Sequence, residues 1–129
     1  MVYDLKLLSE MCSDFGLDNV NVSSDSVEIN LFDDVTLVFK NFQNENDSLI
    51  GFLGTPWHAH GNIMFSRKDG HYIDLNYLDI IEGLRKGTVL ICEQTINSEL
   101  KERYLIHRDY FDELRFIESG EEIRIRRIV

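Results

Sequence analysis

Two histidines stand two residues apart in Gly54-Thr55-Pro56-Trp57-His58-Ala59-His60-Gly61, a stretch that also holds the only proline and the only tryptophan of the chain. On an extended strand, residues i and i+2 point to one face, so His58 and His60 meet the spacing of an H-x-H metal pair. Two imidazoles alone do not close a site. His71 sits at the tip of a hairpin marked by Asp69-Gly70, and at roughly 3.3 Å per strand residue it falls about 20 Å from His60. No H-E-x-x-H and no paired Cys-x-x-Cys supplies further ligands. Three readings therefore stand side by side. Trp57 packs and the imidazoles are hydrogen-bonded; or the loop contacts a partner, with Trp57 as apolar anchor; or the pair serves a metal-binding protein or metal-dependent hydrolase.

Other chemistries find less support. There is no G-x-S-x-G, and neither Cys12 nor Cys92 has charged neighbours that would depress a thiol pKa. Both cysteines read as small buried hydrophobes rather than a disulfide. Gly83 and Gly87 frame a helix and its cap instead of cradling a phosphate. The one basic cluster, Arg124-Ile125-Arg126-Arg127, reads as an amphipathic strand whose arginines pair with Glu118, Glu121 and Glu122 across a hairpin. A nucleic-acid surface needs a broad positive field, and this chain carries -10 at neutral pH. No catalytic residue and no cofactor is expected.

The charge is also uneven. Residues 1–50 hold ten carboxylates against Lys6 and Lys40, which places -8 of the total there. Such an excess repels itself, so it serves either as a solvated face or as the complement of a basic partner, whose encounter it would speed and orient. The acids expected to meet that partner are Asp25, Glu28, Asp33, Asp34, Glu45 and Asp47, joined by Trp57, His58 and His60 if the H-x-H loop shares their surface. The N-terminal Met1–Lys6 lacks a basic region followed by an apolar stretch, and no run approaches the roughly 20 apolar residues that span a bilayer. A cytoplasmic protein is expected, with no membrane partner.

Small, acidic and without a catalytic signature, the chain resembles bacterial immunity proteins of toxin–immunity systems. Such proteins neutralise a cognate toxin domain, often a basic nuclease, by covering its active site or substrate-binding surface. The stretch from Gly54-Thr55-Pro56-Trp57-His58-Ala59-His60-Gly61 through Leu105-Ile106-His107-Arg108-Asp109-Tyr110 is also similar to small bacterial proteins of such loci. The resemblance implies tight, charge-steered binding of a basic toxin domain. It carries no individual binding residue over to this chain.

The elements that must position these residues follow from periodicity. At 129 residues, with eight phenylalanines and five tyrosines, the chain suits one domain with a real core. Leu5, Leu8, Cys12 and Phe15 recur at helical steps, flanked by Leu7 and Met11, and Gly16 ends the run. Alternation at Val20 and Val22, at Val27, Ile29 and Leu31, and at Val35, Leu37 and Phe39 predicts a meander turned at Asp33-Asp34. Asn41–Ser48 reads as an exposed loop, and Leu49–Leu53, apolar on both parities, as a buried central strand. Ile63–Phe65 and Tyr72–Leu75 form a hairpin. A second helix starts at Asn76, buries Tyr77, Ile80, Ile81 and Leu84, and stops at Gly87. Thr88–Cys92 pairs with Arg103–His107, a short helical turn is expected over Asp109–Leu114, and a last hairpin joins Arg115–Glu118 to Ile123–Arg126. The order predicts an α+β fold: a largely antiparallel sheet of hairpins with an N-terminal and a central helix.

Overall fold

The helix α1, Leu5–Asp14, begins where the Asp4 carboxylate accepts the Leu7 N–H at 3.0 Å, satisfying one of the orphan donors of the first turn. Leu8 and Cys12 are fully buried, Leu5 and Phe15 half-buried, and Leu7 is left on the solvent side. The computed structural model describes residues 1–111 and 119–128. The expected helical turn over Asp109–Leu114 and the strand Arg115–Glu118 therefore lie largely outside the described residues.

Five strands follow as an antiparallel meander: β1 (Val20–Val22), β2 (Ser26–Phe32), β3 (Val35–Phe42), β4 (Asp47–Phe52) and β5 (His58–His60), in the spatial order β1-β2-β3-β4-β5. The expected loop over Asn41–Ser48 is strand at both ends and an exposed turn only over its middle four residues. β3 runs to Phe42, a 3₁₀ turn takes Gln43–Glu45, and β4 starts at Asp47. Polar composition misleads here because two of its residues are interior. Asn41 accepts the Tyr3 N–H at 2.8 Å and donates to the Tyr3 carbonyl at 2.9 Å, which ties the N-terminal segment to the sheet, and Ser48 is buried beside it in register.

A two-stranded hairpin, β6 (Ile63–Ser66) with β7 (Tyr72–Leu75), leads into α2 (Tyr77–Lys86). A capping box starts α2: Asn76 Oδ1 accepts from the Asp79 N–H at 2.9 Å and the Asp79 carboxylate takes the Asn76 N–H in return. Gly87, at φ +77°, closes it in the left-handed conformation, and the Arg127 guanidinium lies where a β-carbon would project. The last three strands, β8 (Val89–Ile96), β9 (Glu99–His107) and β10 (Glu121–Arg126), form an antiparallel sheet in the order β10-β8-β9.

The fold is α+β, as expected, and among the described residues its sheets are antiparallel throughout but divided into three rather than one. The core lies between the inner face of the five-stranded sheet, the two helices and the three-stranded sheet; Val27, Ile29, Leu37, Phe39 and Ile50 meet Leu8, Ile80, Ile81, Leu84, Ile91 and Leu105 there. Cys12 and Cys92 are both buried and unbridged. No helix among the described residues is long and apolar enough to cross a membrane.

Candidate functional site

Strand alternation divides the five-stranded sheet into two chemically different faces. Inward point Val27, Ile29, Val35, Leu37, Phe39 and Ile50, all completely buried. The outward set is fixed by register: Asn21, Glu28, Val38, Gly51 and His58 form one cross-strand row, and Ser26, Lys40, Leu49 and His60 the next, with Phe42 opposite Asp47 beyond them. Gly51 apart, these residues stay half-buried or exposed. A strip of Val38, Leu49 and Phe42 thus runs across an otherwise polar surface, with the Lys40 ammonium 5.5 Å from the Phe42 ring centre.

This face corrects one expectation. Leu49–Leu53 is central between β3 and β5 as expected, and Ile50, Gly51 and Phe52 are buried, but Leu49 is only half-buried on the outer face. Leu53 lies beyond β4 and is 62% exposed. The signal was present in the sequence: Val38, Phe42 and Leu49 occupy the parity that a purely solvated face gives to polar residues.

Of the nine residues expected to meet a partner, six gather on this face or its lower rim. Glu28, Asp47, His58 and His60 are on the face itself. Asp25 and Glu45 stand at the rim, where they line a shallow open groove of about 360 Å³ together with Lys40, Phe42, Gln43 and Asn44. Asp33 and Asp34 sit at the opposite end, in the β2–β3 turn. Asp34 is not a free acid: Arg126 Nη1 donates to both its oxygens at 3.0 and 2.9 Å, and those hydrogen bonds hold its carboxyl below the usual carboxylate range. Asp33 is exposed without an ion-pair partner among the described residues. Trp57 is half-buried and turned to the core, its ring centre 5.9 Å from that of Phe52. The structure places it behind the sheet from His58 and His60, so the three do not share one surface.

The two imidazoles are neighbours, ring centres 5.2 Å apart and nearly perpendicular. His58 Nδ1 lies 3.0 Å from the Pro56 carbonyl oxygen and His60 Nδ1 3.0 Å from Asp47 Oδ2. The other Asp47 oxygen accepts the Ser48 N–H at 2.8 Å; that backbone bond, then His60, holds the carboxyl low. Among the described residues no three of His, Cys, Asp and Glu converge as a metal cage. His71 is tied to Asp69 in the β6–β7 turn, and His107 is buried.

Sequence reasoning missed a dense cluster of charge among the described residues. Glu93, 2% exposed, receives Arg103 Nε at 2.8 Å on one oxygen and Arg124 Nε and Nη2 at 3.0 and 2.8 Å on the other, with Arg126 at 3.4 Å. Among the described residues the arginines of β10 pair with β8 and with the β2–β3 turn, because β10 lies against β8. Of their expected partners, Glu121 is bound by Lys101 at 2.6 Å. Glu118 is outside the described residues.

Compared with known proteins, the chain matches no family model, no curated protein and no solved structure.

Proposed function

We propose that this chain is an immunity-type binding protein that neutralises a toxin domain with a basic surface, docking it on the outer face of the five-stranded sheet. The observation that carries the reading is the composition of that face. A half-buried apolar strip of Val38, Leu49 and Phe42 lies on the outer face, and Glu28, Asp47, Asp25 and Glu45 stand on or around it. Interfaces combine a desolvated apolar centre with a polar rim, and complementary charge steers the encounter. Glu28 and Glu45 have no ion-pair partner among the described residues, so their charge is available to an approaching cation. Trp57 supports the face from behind instead of anchoring the partner.

The test is protection combined with kinetics. Co-expression should rescue cells from the toxin domain encoded beside this gene. Association should slow as salt rises, since charges separated beyond about 8–10 Å are screened at physiological ionic strength. Glu28→Lys with Glu45→Lys should lower the on-rate and weaken rescue, whereas Val38→Asp should act mainly on the off-rate. If no neighbouring product is toxic, or if this chain neither binds nor protects against one that is, the proposal fails.

A further inference from the structure

The pairing of His58 with His60 has a chemical feature that partner docking does not use. Both rings are exposed on the outer sheet face, two residues apart on β5, with centres 5.2 Å from each other. Each Nδ1 faces a group that only accepts: the Pro56 carbonyl for His58 and the Asp47 carboxylate for His60, both at 3.0 Å. In the neutral imidazoles the proton is therefore on Nδ1, which leaves the Nε2 lone pair of each ring free. Metal-bound histidines carry this arrangement, the second nitrogen donating to a carboxylate or backbone carbonyl that fixes tautomer and ring orientation. Here both outer partners are in place.

We infer that His58 and His60 chelate one borderline divalent transition-metal ion, of the zinc or nickel class, through their Nε2 atoms. Imidazole pairs suit such ions, while magnesium and calcium demand oxygen ligands. Asp47 acts as a positioning residue and not as a third ligand, since one oxygen holds His60 and the other the Ser48 N–H. Water completes the coordination sphere, so the ion exchanges readily and is lost on dialysis. The inference is independent of the proposed partner.

The structure supplies its own control. His71 is exposed and has Nδ1 3.1 Å from Asp69 Oδ1, a lone imidazole with the same kind of carboxylate support. Untagged protein is titrated calorimetrically with zinc chloride at about pH 7.5, and the imidazole nitrogens are followed by NMR. Saturable binding of one ion per chain is expected, with Nε2 of His58 and His60 shifting together and magnesium producing no response. His58→Gln and His60→Gln should each weaken the affinity by about tenfold or more, because a single imidazole loses the effective concentration of its linked neighbour. Asp47→Ala should weaken it by about tenfold with both rings intact. His71→Gln should leave it unchanged. Absence of saturation at millimolar zinc, or equal affinity in the parent and the His58 and His60 variants, overturns the inference. All these side chains are exposed or half-exposed, and an unchanged thermal unfolding midpoint separates lost ligation from lost fold.

Discussion

At the residue scale, His107 shows how burial and one hydrogen bond fix a protonation state. Its ring is 7% exposed, between Phe65 and Tyr110, and Nδ1 accepts the Asp109 N–H at 3.1 Å. A proton on Nδ1 would face that donor, and burial pushes the pKa below its ordinary value, with Asp109 only partly offsetting this. In the unfolded chain the imidazole titrates near about 6.5, so below that pH the unfolded state takes up more protons than the folded one. His107 thus contributes stability that is fully present above the unfolded pKa and is lost as pH falls. Unfolding free energy in urea should decline from pH 7 to 5.5, and His107→Gln should flatten that slope. An unchanged slope would place its origin in another group. The cysteines are chemically quiet by the same physics: burial pushes the Cys12 thiol up to about 11, and Cys92 also upward, which keeps both protonated.

At the element scale, α2 is held against β8 by a close approach that depends on a missing side chain. Gly83 is buried within the helix, and a β-carbon there would stand 2.4 Å from Val89 Cγ2 and 3.1 Å from Thr88 Oγ1. The Gly83 carbonyl also accepts the Thr88 N–H at 2.9 Å, which folds the chain from helix directly into strand. On an isolated helix, glycine to alanine gains about 1 kcal/mol. Here the expectation reverses: Gly83→Ala should cost about 1–3 kcal/mol through overpacking, read by chemical denaturation. A gain in stability would mean that α2 and β8 can separate freely. The glycine matters for the site indirectly, because α2 packs the inner layer on which the five-stranded sheet rests.

At the scale of the whole molecule, Glu93 joins parts of the chain that are far apart in sequence. It lies in β8, takes hydrogen bonds from Arg103 of β9 and Arg124 of β10, and shares Arg126 with Asp34 of the β2–β3 turn. Burial alone would raise its pKa, but the hydrogen bonds from Arg124 and Arg103 outweigh it and hold the carboxyl low. Replacing Glu93 by alanine leaves Arg103, 5% exposed, with only the distant Asp34 carboxylate at 4.0 Å, and should cost about 3–5 kcal/mol in urea denaturation. The double change Glu93→Leu with Arg103→Met should recover much of that loss, since no buried charge is then left unpaired. A loss below about 0.5 kcal/mol for Glu93→Ala would show that water reaches and solvates Arg103. The same network decides which acids are free for a partner. Asp34 is committed inside the molecule, so charge reversal there would test the fold as well as recognition; Glu28, Glu45 and Asp33 are the cleaner positions.

The sequence by itself determined the elements whose signals are local. Helical stripes, stopped near Gly16 in α1 and bounded by Asn76 and Gly87 in α2, set the two helices described, and alternation with an Asp-Asp turn set the β2–β3 hairpin. These signals lie within a few residues of the structure they specify, as does the facing of His58 and His60 to one side of a strand. Only the tertiary structure decided which strands became neighbours and which faces were covered. Placing β10 against β8 redirected the arginines to Glu93 and Asp34, a pairing across 31 and 92 positions that no local pattern encodes. Asn41 and Ser48 look like loop residues until the N-terminal segment packs over them, and Leu49 looks buried until one sheet face is left open. Trp57 packs beside Phe52 on the core side for the same reason. Parity tells which side chains share a face, but which face meets the core is settled by the packing of distant elements.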